Sequence, residues 1–180
     1  VAVLPRVLYL LLARPPFGGD YWALSDSLLG DGSLGFDGIR TTAFEPVYPL
    51  FLAMARVLTG DRVLLVQVIQ SIVAACGALF LYRLATNLTG IRRVGAIAAA
   101  LYAGYPLLVR HSPDPTDAAL MTTLLIAFAA EFVTAATPRR AAWAGLWLGL
   151  AVLTRAMAAP LIPLAAAVHW SNGARRSSVV

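Results

Sequence analysis

The chain has 180 residues, of which 59% are hydrophobic and only 13% charged, and its mean hydropathy is +0.76. A soluble domain of this size must cover its surface with polar groups, which this composition does not supply, so a membrane-embedded protein is expected. The net charge of +5 rests on arginines that punctuate apolar blocks instead of forming a basic face, which gives no footprint for nucleic acid; a single cysteine, Cys76, excludes an intrachain disulfide and a multi-cysteine metal site.

Taken in chain order, the first apolar stretch, Val1–Leu12, is too short to span a bilayer and is interrupted by Pro5 and Arg6. It has neither the basic start nor the cleavage site of a signal peptide, so the chain is expected to begin inside or just after a first transmembrane helix. A long loop follows, over about 15–62. Phe17-Gly18-Gly19-Asp20-Tyr21-Trp22 opens it, Ala23–Leu29 form a short amphipathic helical stretch, and Gly30-Asp31-Gly32 and Gly35-Phe36-Asp37-Gly38 read as turns. The apolar run from Glu45-Pro46-Val47-Tyr48-Pro49-Leu50 to Thr59-Gly60-Asp61 suits an interfacial or re-entrant helix, so the loop is expected to roof a helix bundle. Spans are predicted over 63–82, 94–109 and 117–136, and the block 141–170 holds two shorter ones broken near Arg155–Pro160. Ser171–Val180 read as a loop leading toward further helices. No stretch alternates with period two for long, which argues against a membrane β-barrel. The fold class is therefore all-α, a polytopic transmembrane helix bundle over about 63–170 with a long outer loop carrying interfacial helices.

Counting crossings places Arg83, Arg92–Arg93, Arg139–Arg140 and Arg175–Arg176 on one side, which the positive-inside rule makes cytoplasmic. Eight of the nine acids, Asp20, Asp26, Asp31, Asp37, Glu45, Asp61, Asp114 and Asp117, then share the outer face, and Glu131 alone lies toward the cytoplasm. Loops collect acids anyway, so this skew is partly a matter of loop length. It still makes the outer face the place to seek chemistry.

Three positions there carry rival readings. Asp20 suits a helix N-cap after Gly-Gly, and equally a carboxylate that takes a proton from an acceptor hydroxyl. In Asp114-Pro115-Thr116-Asp117 the two acids fit a capping box around a first-turn proline. Alternatively Asp117 faces the bundle and binds a cation or substrate. Arg155 either snorkels to the headgroups or grips a phosphate with its planar fork. His111 and His169 fall on opposite sides and make no joint metal site, and no phosphate-cradling glycine loop is present.

In order and spacing these motifs resemble the GT-C glycosyltransferases, closest to the bacterial set related to protein O-mannosyltransferases and lipid A aminoarabinose transferases. The resemblance is carried by Gly19-Asp20-Tyr21, by Pro46-Val47-Tyr48-Pro49-Leu50-Phe51-Leu52-Ala53, and by Gln67-Val68-Ile69-Gln70 entering a span. Ala103-Gly104-Tyr105-Pro106 ending a span, and Gly145–Ala151 leading into Leu153-Thr154-Arg155, continue it. It covers nearly the whole chain and corresponds to the N-terminal part of such enzymes. It implies transfer of a sugar from a polyprenyl-phosphate carrier to a glycan, lipid or protein acceptor on the outer side of the cell membrane. Asp20 matches the family's loop carboxylate, the general base, and Asp117 the acid heading a later span, which organises the site. The two are also the positions at which a divalent metal would sit. Arg155 matches a basic residue that meets the carrier phosphate, and Tyr21 and Asp114 are the neighbouring candidates for substrate contact. One departure is that Asp20 is followed by Tyr21 where the family often has a second acid.

Two other classes compete. A transporter or flippase predicts ionisable groups near the bilayer midplane and broken helices in paired halves, a description only Glu131 approaches. A non-catalytic membrane scaffold predicts that Asp20, Asp117 and Arg155 lie far apart.

Overall fold

A computed structural model describes residues 2–13, 15, 18–36 and 39–177, with backbone alone from 171 onward. The turn expected at Asp37-Gly38, the Phe17 position and the side chains of Arg175 and Arg176 lie outside the described residues. Described secondary structure is helical apart from one small ribbon, in the order α1 (Val3–Ala13), α2 (Asp20–Asp31), β1 (Gly35–Phe36), β2 (Ile39–Arg40), α3 (Val47–Thr59), α4 (Val63–Thr89), α5 (Arg92–Gly104), α6 (Pro106–His111), α7 (Ala118–Phe132), α8 (Pro138–Thr154) and α9 (Leu161–Ser177). The ribbon pairs Gly35 with Arg40 and Phe36 with Ile39 antiparallel, so Gly35 and Phe36, read as part of a turn, lie in a strand.

Helices stand at the positions of the expected spans, with altered ends. The first runs a full two turns further than expected, as α4, and is the one described helix long and apolar enough to cross a membrane. Gly90, at φ 71°, then closes it with a left-handed residue whose N–H reaches the Thr86 carbonyl. The second expected span is broken in two. Pro106 has no N–H to give the preceding turn and holds Tyr105 extended (φ −65°, ψ 115°), so α5 stops and α6 starts afresh. The block 141–170 breaks where expected: α8 ends at Thr154, Arg155 is extended, a 3₁₀ turn covers Ala156–Ala158, and α9 follows.

Helices α4, α5, α7 and α8 pack side by side, α4 against both α5 and α7, and α7 against α8. The buried stripe of α4, Val66, Gln67, Gln70, Ser71, Ala74, Ala75, Gly77 and Ala78, is small or polar, which lets neighbouring backbones come close. Gly95 of α5 shows how close: a Cβ there would lie 2.7 Å from the Tyr82 carbonyl oxygen. Outward faces are apolar instead. Leu79, Leu101, Leu58 and Leu164 are each more than half exposed, the reverse of a water-soluble bundle. Glu131, in the last turn of α7, pairs with Arg83 of α4 at 2.8 Å, which aligns those helix ends. Its role is that of an interhelix ion pair, and the feature that favoured a transporter is thereby accounted for.

The roof is α2, the ribbon and α3. Arg56 of α3 is buried and gathers four partners: Asp26 at 2.5 Å, Asp61 at 2.6 Å, the Ser25 hydroxyl at 2.7 Å and the Trp22 ring at 4.0 Å. Two of the outer acids are thus structural counter-charges.

Candidate functional site

The roofed end of the bundle brings together four elements: the start of α2, the turn before α3, the head of α7 and the break after α8. Asp117 occupies the N-cap position of α7, yet its side chain makes no capping bond. The carboxylate is buried, with 4% of the residue exposed, and its Oδ2 has no hydrogen-bond partner. Its counter-charge is Arg155 Nε at 3.4 Å, on a side chain still 47% exposed. The capping-box reading therefore fails, because a cap would turn the carboxylate toward the helix's own N–H groups. Asp114 fails it too: its Oδ2 takes His111 Nδ1 at 2.6 Å, and its carbonyl accepts from the Gln70 amide.

Tyr21 stands over this pair. Burial is the main cause that pushes its phenol up to about 12; the Asp117 and Glu45 carboxylates add to it, Arg155 opposes them, and a hydrogen bond to Asp117 acts with burial. The ring packs edge-on against Phe44 (centroids 5.4 Å) and Tyr48 (4.8 Å), which restrains the phenol near the Asp117 carboxylate. Tyr48 is fully buried, and burial likewise drives its pKa upward.

Glu45 was counted among the outer acids and given no role. Its Oε1 accepts the Ala156 N–H at 2.7 Å, tying the turn before α3 to the break after α8. The signal was present in the sequence as an acid directly before the Pro46 motif.

Asp20 is the first residue of α2, and Gly19, not Asp20, is the N-cap. The Gly19 carbonyl takes the Trp22 and Ala23 N–H groups, and at φ 100° its backbone suits glycine. The Asp20 side chain is exposed and makes no ion pair or hydrogen bond among the described residues. Of the residues singled out in the sequence, Asp117, Arg155 and Tyr21 converge, Asp114 pairs nearby with His111, and Asp20 adjoins Tyr21 in the chain without touching the pair. The convergence of Asp117 and Arg155 runs against a scaffold in which all the acids are caps. Among the described residues no three His, Cys, Asp or Glu side chains gather as a metal site, and the Asp117 carboxylate already faces a guanidinium.

The chain belongs to the dolichyl-phosphate-mannose-protein mannosyltransferase family, whose sequence profile matches residues 43–179. This is a membrane glycosyltransferase family of the GT-C kind, and the resemblance seen in the sequence is upheld. No curated protein and no solved structure matches the chain.

Proposed function

We propose that this chain forms the multi-pass core of an enzyme that moves a sugar from a polyprenyl-phosphate carrier to an acceptor at the outer face of the membrane. The observation that carries the reading is the buried Asp117 carboxylate facing the half-exposed Arg155 at 3.4 Å, assembled from two separate helices. Membership of the mannosyltransferase family makes mannose the sugar, a dolichol-type phosphate the carrier and a protein the acceptor to test first.

In the transfer, the acceptor oxygen forms its bond to the anomeric carbon as the bond from that carbon to the carrier phosphate breaks. The bonding pair leaves on the phosphate, where Arg155 offsets the growing negative charge. Positive character at the sugar ring is met by the Asp117 carboxylate, held in place beneath Tyr21. The acceptor's proton passes to Asp20, whose exposed and unpaired carboxylate is free to take it. Direct attack inverts the anomeric centre. Arg155 keeps enough exposure for a lipid phosphate to reach it, which a buried, fully satisfied arginine would not.

Asp20→Asn in the full-length protein is the test. Mannose transfer from the lipid-phosphate donor should fall by at least about a hundredfold, the usual scale for a general base, with donor binding kept. Retained transfer would remove Asp20 from the chemistry and leave Asp117 as the remaining acid to assign.

A further inference from the structure

Arg6 is the most deeply buried charge among the described residues and belongs to no site so far described. Its residue exposure is 0%, and no carboxylate pairs with it among the described residues. Part of its presence is explained by the break at Pro106. Arg6 Nη1 donates to the Ala2 carbonyl, just ahead of its own helix, at 2.7 Å and to the Ala103 carbonyl at 3.2 Å, and Nη2 to the Tyr102 carbonyl at 3.5 Å; the last two are groups that an uninterrupted helix would have bonded itself. Those carbonyls sit at the C-terminal, partly negative end of α5, and the Tyr102 ring lies 5.5 Å from the guanidinium carbon. Dipoles and a ring offset only a fraction of a full charge. Nε remains buried without any partner.

The same side chain lines a cavity of about 70 Å³, room for several waters or one phosphate-sized group. Across from it are Ala118, Ala119 and Thr122, the opening turns of the 15-residue helix α7. No side chain caps that helix, so its first N–H groups bring unsatisfied donors and a partial positive charge to the same space. His111 and Ser112 also line the cavity, whose remaining surface is mostly apolar. The acids nearest along the chain are already engaged, Asp114 with His111 and Asp117 with Arg155. A buried cation and an uncapped helix start thus face one cavity with no anion to answer them.

We infer that this cavity binds an oxyanion of the phosphate-monoester class, held by Arg6 and the first turn of α7. The site is distinct from the Asp117–Arg155 pair, and its occupancy does not depend on sugar transfer. Both a free phosphate and a lipid phosphate headgroup have this chemistry.

The test uses the full-length protein in maltoside micelles, which carry no phosphate. One arm titrates inorganic phosphate, and the other adds phosphatidic acid against a diacylglycerol control. Saturable binding is expected, with Tm raised by about 5 °C at a hundredfold excess over Kd. Arg6→Gln should weaken binding at least about tenfold. Because that variant also disturbs the α5 break, Ala119→Asp provides an independent check. It keeps Arg6 and puts a carboxylate into the cavity, so it should abolish the response and raise the Tm of the phosphate-free protein. Arg155→Gln should leave binding intact. A response to phosphatidic acid alone assigns a lipid headgroup, and a response in both arms assigns the phosphate group itself. Absence of saturable binding in both arms overturns the inference, as does binding that survives both cavity variants or is lost in Arg155→Gln.

Discussion

The Asp117–Arg155 pair makes a quantitative prediction that a double-mutant cycle can test. At 3.4 Å two unit charges attract by about 1 kcal/mol at the dielectric of water and about 5 kcal/mol at an effective value of about 20. Asp117 is buried but Arg155 is nearly half exposed, so solvent screens the interaction toward the lower figure, about 2 kcal/mol. Asp117→Asn and Arg155→Gln keep the shapes and remove one charge each. Measured as kcat/KM for mannose transfer in the full-length enzyme, each single change should cost at least about tenfold. The double variant should be about thirtyfold better than the product of the two single losses, since the second change has no partner left to remove. If the losses multiply to within about threefold, the two groups act independently, and the placement of a working ion pair at the mouth of the bundle is wrong.

Arg56→Leu should loosen the roof. Its two carboxylate partners are 55% and 61% exposed and so are screened, but the Ser25 bond and the Trp22 contact are lost as well. A loss of about 2–3 kcal/mol is expected, read as faster amide exchange confined to α2 and α3. Gly95→Leu should separate α4 from α5 and cost at least about 2 kcal/mol in thermal melts, while a neutral result would contradict the close approach at Tyr82. Tyr21→Phe concerns alkaline pH. The folded-state pKa is raised to about 12 from an ordinary 10.0, so Tyr21 favours the fold below pH 10 and loses that contribution as pH rises toward 12. The variant should flatten this part of the stability profile, and an unchanged slope between those values would show that the phenol is not buried against Asp117.

Much of the helical framework is legible in the sequence because apolar run length and proline placement are local. The end of α8 at Thr154 and the break after it follow from Leu153-Thr154-Arg155 and Pro160. Tyr105-Pro106 carried the signal for a break that a simple 94–109 span ignores, since the residue before proline is pushed out of helical geometry. Asp117, Arg155 and Tyr21, singled out by residue type and family pattern, lie together in the fold, whereas Asp20, singled out with them, does not contact the pair. Non-local partnership was not legible. Asp26 and Asp61 looked like free outer acids because their partner, Arg56, sits inside an apolar helix and reaches Asp26 across 30 positions. Arg6 looked like a mere interruption of an apolar run because two of the three carbonyls it serves lie more than 90 positions away. Glu45 was passed over because its partner is a backbone N–H, which no residue type announces.

The two buried glutamines of α4 have a consequence for how the surrounding loops can vary. Gln67 and Gln70 donate to the main-chain carbonyls of Pro15 and Asp114, not to any side chain. Carbonyl oxygens are common to every residue, so the loops can exchange their side chains freely while these two tethers persist. Substitutions in these loops therefore leave both tethers to α4 in place.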